Sequence, residues 1–187
     1  GHMCDAVREH CAGQLELLGA TVPEVNGEIP QVTFKEAGEI LEKEGHRGGP
    51  RGDLDPEGER LLCAWAEKEH GSDFLYVVGF PLSKRPMYTA FREDDPETSR
   101  SFDLLWRGLE VTTGSQRIHD HALLCEKMKE RGLDPVEYDY YVSVFRHGMP
   151  PHGGLGLGLE RFTMQLLGLA NVKQATLFPR DRRRISP

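Results

Sequence analysis

Two strand-length segments separated by a single dipeptide constrain this chain more than any other feature. Ser101 to Trp106 and Leu109 to Thr113 both read as strands, and only Arg107-Gly108 lies between them. A two-residue connection of this kind joins antiparallel strands and fixes their register. Leu105 then faces Glu110. Asp103 becomes the diagonal neighbour of Glu110 on the same sheet face, roughly 7–8 Å away between Cβ atoms. Two carboxylates so placed can reach one hard cation from both sides. Mg²⁺ favours such oxygen ligands and completes its shell with phosphate and water. Two solvated acids on a surface hairpin would show the same spacing, because acids are mostly exposed. Arg117, just downstream, falls near the same face. It could hold a substrate carboxylate in a bidentate grip, or simply pair with a surface acid.

A second segment carries chemistry. Gly153-Gly154-Leu155-Gly156-Leu157-Gly158-Leu159-Glu160-Arg161 runs from a strand or turn into a helix over Leu159 to Leu167. Glycine at every second position strips side chains from one strand face, so a flat or phosphorylated ligand can approach the backbone. Arg161 sits in the first helical turn, where a cation does not help the helix, which suggests a guanidinium held for an anion. The run lacks the GK[ST] of a P-loop and the distant acid of a dinucleotide fingerprint. Close strand–helix packing through small residues is the plainer explanation of the same pattern.

The rest of the 187 residues reads as helices first, then strands with interleaved helices. Val7, Cys11, Leu15 and Leu18 predict one opening helix ended by Gly19. Thr33-Phe34-Lys35-Glu36 has the form of a capping box for a helix ending near Gly45. Residues 46–53 read as a mobile loop. Asp55-Pro56 caps a helix carrying Leu61, Leu62 and Trp65. Phe74 to Phe80 predicts a buried strand and Pro86 to Phe91 a second one, followed by a charged loop from Arg92 to Arg100. Asp120 to Arg131 predicts a helix closed by Gly132, and Asp134 starts another reaching about His147. The order predicts an α+β fold, an antiparallel sheet flanked by helices, rather than βαβ repetition. No apolar run is long enough to span a membrane. The formal charge of −7 argues against broad nucleic-acid binding but leaves room for a local basic patch such as Arg180, Arg182, Arg183 and Arg184. Cys4, Cys11, Cys63 and Cys125 have no CxxC spacing, which fits a reduced, cytoplasmic protein. His119, His121 and Cys125 match no standard zinc spacing. Trp65 and Trp106 read as core. Gly1-His2-Met3 looks like a cloning scar, leaving residues 4–187 as a single domain.

Taken together these segments resemble the class II aspartyl-tRNA synthetases of the archaeal and eukaryotic type. Ser101 through Glu110 with Gly114 through Asp120 resembles the active-site hairpin of that family. Pro150 through Arg161 resembles motif 3, and Leu177-Phe178-Pro179-Arg180-Asp181 with Pro187 resembles its C-terminal end. Arg85 through Thr89 and Gly52 through Arg60 fit as well. The resemblance implies Asp103, Glu110 and Thr113 as ligands of Mg²⁺. It implies Arg117 as holder of the substrate aspartate, with Gln116 and His119 beside it. It implies Gly156, Gly158, Glu160 and Arg161 as the ATP-binding set, with Arg161 and Glu110 catalytic. The expected reaction joins aspartate and ATP into aspartyl-adenylate, then transfers the aspartyl group to tRNA.

The chain also departs from that family's pattern. The anticodon-binding domain, motif 1 and motif 2 are not found, so the expectation is a partial catalytic core that associates with itself or with another chain. Thr113 stands where the family has a serine. Simple alternation from Glu110 would turn Thr112 to the metal face instead, and a bulge would reconcile the two. Gly79 replaces an acid common in aspartate-specific members, and Leu155 a bulkier aromatic. A module that binds ligand or partner without aminoacylation, or one that activates a carboxylate for amide formation, are the competing expectations.

Overall fold

In the computed structural model, which describes every residue except 26, 48–51, 184 and 187, five strands form one mixed sheet in the order β1-β2-β3-β4-β5. They are β1 Gln31–Thr33, β2 Phe74–Val78, β3 Ser101–Trp106, β4 Leu109–Gln116 and β5 Gly153–Leu157. The helices are α1 His2–His10, α2 Ala12–Leu18, α3 Phe34–Lys43, α4 Pro56–His70, α5 His121–Glu130, α6 Asp139–Val142 and α7 Leu159–Leu167. The α+β layout is the expected one. The sheet is not wholly antiparallel, because β1 pairs parallel to β2 while all later pairs are antiparallel. The α3–α4 crossover between β1 and β2 makes that possible, since parallel neighbours need a long connection.

Local signals set most of the boundaries. Thr33 and Glu36 form the reciprocal capping box. Asp55 accepts from Gly58 N–H with Pro56 at the first helical position of α4. Asp120 caps α5 through Leu123 N–H. Gly19 closes α2 in the left-handed conformation. Alternation along the strands then separates two cores. Leu75, Val77 and Leu105 pack with Leu41, Leu62 and Ala66 of α3 and α4. Phe74, Trp106 and Val111 face the other way, against Cys4 and Leu166 of α1 and α7. Trp106 is fully buried and Trp65 packs against the first core, as expected. A third cluster joins α5 to Val142, Phe145 and Ile118.

Three expected elements differ. The opening helix breaks at Cys11, whose backbone (φ −124°, ψ 25°) leaves the helical region. Cys4 anchors α1 in the core, whereas α2 buries no residue and has nothing to hold it in line. Residues 86–91 are turns with isolated bridges at Thr89 and Phe91 rather than a strand. Pro86 accepts from Thr89 N–H, curling the chain where a strand would extend. The helix expected from Asp134 is replaced by turns, the four-residue α6 and a 3₁₀ stretch from Ser143 to His147. Asp134 takes Val136 N–H through its own side chain, competing with the helical pattern. Residues 48–51 of the loop expected over 46–53, together with Arg184 and Pro187, lie outside the described residues.

Candidate active site

The β3–β4 hairpin builds the site. Arg107 and Gly108 both take positive φ, 46° and 84°, as a two-residue turn matching strand twist requires. Arg107 tolerates this with its guanidinium fixed on Asp73 at 2.7 and 3.2 Å. Trp106 pairs with Leu109 and Leu105 with Glu110, the expected register. The register then shifts, so that Leu104 faces Thr112 and Asp103 faces Thr113. Val111 is the extra residue, and its side chain is buried in the α1–α7 core. Burying it turns Val111 and Thr112 to the same side, which puts Thr113 beside Asp103 on the α3–α4 side. Of the two alternatives left by alternation, the bulge selects Thr113. Its Oγ1 donates to Asp103 Oδ1 at 2.6 Å.

Asp103 is 3 % exposed and its second oxygen accepts from Arg85 Nη2 at 2.8 Å. Glu110 is half-buried beside it, with Oε1 3.5 Å from Arg161 Nη1. Arg161 also donates to the Glu110 carbonyl at 2.8 Å, and Gln165, one turn on, donates to the carbonyl of Trp106 at 2.9 Å. α7 thus grips the hairpin backbone with two side chains of one face. From α4, Glu59 accepts from Glu110 N–H at 3.1 Å. Burial pushes the Glu110 carboxyl above the usual range, and the charge of Asp103 adds to the effect. Burial likewise raises Glu59, against the lowering pull of the Glu110 N–H that it accepts. Asp103, Glu110 and Glu59 thus feel one another's charge beside Arg85 and Arg161.

Such a place suits a hard cation. Every donor is an oxygen, and burial with the charge of Asp103 keeps the Glu110 carboxyl raised despite Arg161 and Arg85. Among the described residues no three His, Cys, Asp or Glu side chains gather closely enough to cage a metal. Mg²⁺ does not need a cage, since it binds through one or two carboxylates plus phosphate and water. Asp103, Glu110 and the Thr113 hydroxyl fit that mode.

A cavity of about 320 Å³ opens beside Thr113 and Arg85. Arg85, Tyr88, Thr89, Ser101, Thr113 and Arg117 are among its walls. Arg117 stacks on the Tyr88 ring at 4.2 Å and makes no ion pair with a described residue. A Cβ on Gly154 would lie 3.3 Å from that guanidinium, so the glycine gives it room. The cavity wall therefore carries Arg117 together with Arg85 and Thr113, which hold Asp103 behind them. Gln116 points elsewhere, with Oε1 held by Arg100 at 2.9 Å. With His119 it lines a smaller neighbouring cavity of about 150 Å³, which Arg117 also borders. Gly156 lies on the floor of the main cavity, and Gly158 caps α7. Glu160 is exposed, with no hydrogen bond to a described residue. Sequence reasoning had given Arg85, Glu59 and Thr89 no role. Each is separated along the chain from the residues it meets, and only tertiary contact places it here. Cys125 Sγ lies 3.7 Å from His121 Nε2, one helical turn away on α5.

A strand hairpin carrying paired acids, followed by a glycine-rich strand that runs into a helix with an arginine in its first turn, defines a class II tRNA synthetase catalytic core. The chain matches the family described as tRNA synthetases class II (D, K and N) over residues 1–182, and it belongs to that family. It is 51% identical over 175 residues to an aspartate–tRNA(Asp/Asn) ligase of Thermus thermophilus, covering 93% of this chain and 40% of that protein. It is 41% identical over 186 residues to an aspartate–tRNA(Asp) ligase of Thermococcus kodakarensis, covering 100% of this chain and 42% of that one. The aspartyl-tRNA synthetase structure from Entamoeba histolytica superposes with a TM-score of 0.89 at 36% identity, over 98% of this chain and 39% of that one. The asparaginyl-tRNA synthetase of Pyrococcus horikoshii complexed with asparaginyl-adenylate gives 0.88 at 29% identity, over 99% and 43%. The chain thus spans well under half the length of these relatives. None of its described helices is long and apolar enough to cross a membrane.

Proposed function

We propose that this chain supplies the cation and amino-acid part of a class II core that activates aspartate with ATP for transfer to tRNA. The observation that carries the reading is the cavity whose wall holds Arg117, without an ion pair to a described residue, together with Thr113 and Arg85, the two residues that hydrogen-bond Asp103. Arg117 takes the aspartate side-chain carboxylate, and Gln116 and His119 shape the neighbouring wall. Asp103, Glu110 and Thr113 hold Mg²⁺, which when bound neutralises charge on the ATP phosphates. Gly156 and Gly158 admit the nucleotide to the backbone, and Glu160 and Arg161 lie at its edge. The α-carboxylate oxygen of aspartate attacks the α-phosphorus, pyrophosphate leaves, and aspartyl-adenylate remains. A ribose hydroxyl of tRNA then takes the aspartyl group and AMP departs. The contribution of these residues is positioning and charge stabilisation.

The partners in this reading are ATP, aspartate and tRNA, together with a second copy or another chain along the open side of the sheet. β5 pairs only with β4, and Leu155 and Leu157 on it are exposed. A cavity of about 700 Å³ opens beside them between Phe102, Gln116 and His152. The four free cysteines fit a reducing compartment such as the cytoplasm. A second reading is binding without activation, in keeping with an Arg161 whose Nη1 is engaged by the carbonyl and carboxylate of Glu110.

The test is aspartate-dependent ATP–pyrophosphate exchange beside calorimetric binding of ATP and aspartate. Exchange with aspartate but not asparagine supports the first reading. Binding without exchange selects the second. Absence of binding for both ligands sinks both.

A further inference from the structure

The acids of the hairpin already have a cationic partner, and it is a residue without a role in the reading above. Arg85 follows the short 3₁₀ turn at Leu82–Lys84. Its Nη2 lies 2.8 Å from Asp103 Oδ2, and its Nη1 lies 3.4 Å from Thr113 Oγ1. Its guanidinium carbon stands 3.7 Å from the centroid of the Phe80 ring. Its Nε is buried without an acceptor. Arg85 thus touches two of the three residues assigned to the cation.

The grip is incomplete for a purely structural ion pair. A guanidinium fork matches both oxygens of a carboxylate. Here it holds one oxygen, while the other belongs to Thr113. One good contact, one long one and one buried N–H without a partner leave this side chain only partly satisfied. The backbone beneath it is secured independently. Arg131, at the end of α5, donates from one nitrogen to the carbonyls of Leu82 and Arg85, at 3.0 Å each. The turn can stay in place while the side chain moves, and the cavity that Arg85 lines gives it room.

We infer that Arg85 is a placeholder cation: it neutralises Asp103 while the hairpin is empty, releases Asp103 as a divalent cation enters, and then offers its guanidinium to the phosphates. The inference rests on the reading of Asp103, Glu110 and Thr113 as cation ligands. No covalent bond changes, and Asp103 exchanges one positive partner for another.

The experiment titrates Mn²⁺ alone, and then pyrophosphate at saturating Mn²⁺, into wild type, Arg85→Gln and Arg85→Lys, following free Mn²⁺ by electron paramagnetic resonance and pyrophosphate by calorimetry. Arg85→Gln should bind Mn²⁺ on the order of tenfold more tightly, because a competing charge within a few ångströms is gone. Pyrophosphate should then bind on the order of tenfold more weakly, because a donor to it is lost. Arg85→Lys should stay near wild type for Mn²⁺. The opposite signs are what a structural role would not produce, since a damaged site weakens both. Unchanged or weaker Mn²⁺ binding in Arg85→Gln overturns the inference, as does unchanged pyrophosphate binding. Mn²⁺ binding to neither protein overturns the cation reading itself. Should Arg85→Gln not fold, the Arg85 Nε–H resonance of the wild type decides. It should move as Mg²⁺ is added, and a signal unmoved to saturation overturns the exchange.

Discussion

At the scale of single residues, the site is poised between fold and chemistry. Glu110 is raised by burial and by Asp103, so its ionised form costs the folded state something. The sign follows from the raised folded value. The penalty is absent below the unfolded pKa and grows as pH rises through the folded one. Glu110→Gln should therefore melt higher than wild type by a few degrees at pH 7 to 8, with the gap closing in acid, while losing Mg²⁺–ATP binding. Melting curves across pH beside calorimetry check this, and a lower melting point at pH 8 would refute it. Arg117 carries a cleaner expectation. Its guanidinium has an aromatic face but no carboxylate among the described residues. Arg117→Ala should weaken aspartate binding on the order of 10²-fold with little change in stability, and Arg117→Lys should recover only part, since a point charge cannot match the fork.

Among elements, the bulge in β4 decides the chemistry. Glu110 and Thr113 reach one face only because Val111 is tucked into the opposite core. Thr113→Val keeps the branched shape but removes the donor to Asp103. It should lower Mn²⁺ affinity by about tenfold and leave the melting point near wild type. The neighbouring strand is fitted as closely. A Cβ on Gly114 would lie 2.5 Å from Cζ of Phe102 and 3.0 Å from Cβ of Leu155. Gly114→Ala should cost about 1–3 kcal/mol by denaturant unfolding. A neutral result would mean that Phe102 swings clear on the open side of the sheet.

The whole molecule has one finished side and one unfinished side. Among the described residues β1 and β5 are both edge strands, but Val32 of β1 is buried under α3 and α4, whereas β5 carries the exposed Leu155 and Leu157. An open edge of this kind pairs with whatever strand it meets. Light scattering should show mass rising with concentration, and Leu155→Glu with Leu157→Lys should abolish the rise. A constant monomer mass in the wild type at high concentration would remove the basis for association through β5.

The sequence by itself determined the hairpin, its turn, the Leu105–Glu110 register, the caps of α3, α4 and α5, and the family. These are local properties, set by backbone sterics and by hydrogen bonds within a few residues. It misjudged the opening helix, where burial holds α1 but not α2, and residues 86–91 and the segment after Asp134, where turn hydrogen bonds to Pro86 and Asp134 displaced the expected pattern. It left Thr112 and Thr113 open, because that choice depended on where Val111 would go. It gave no role to Arg85 or Glu59, because their partners lie far along the chain: Asp103 is 18 residues from Arg85, and Glu110 is 51 from Glu59. Only packing brings such residues together. The chemistry-bearing side chains were therefore legible one at a time, and their grouping around the hairpin and its neighbouring cavity was decided by the tertiary structure.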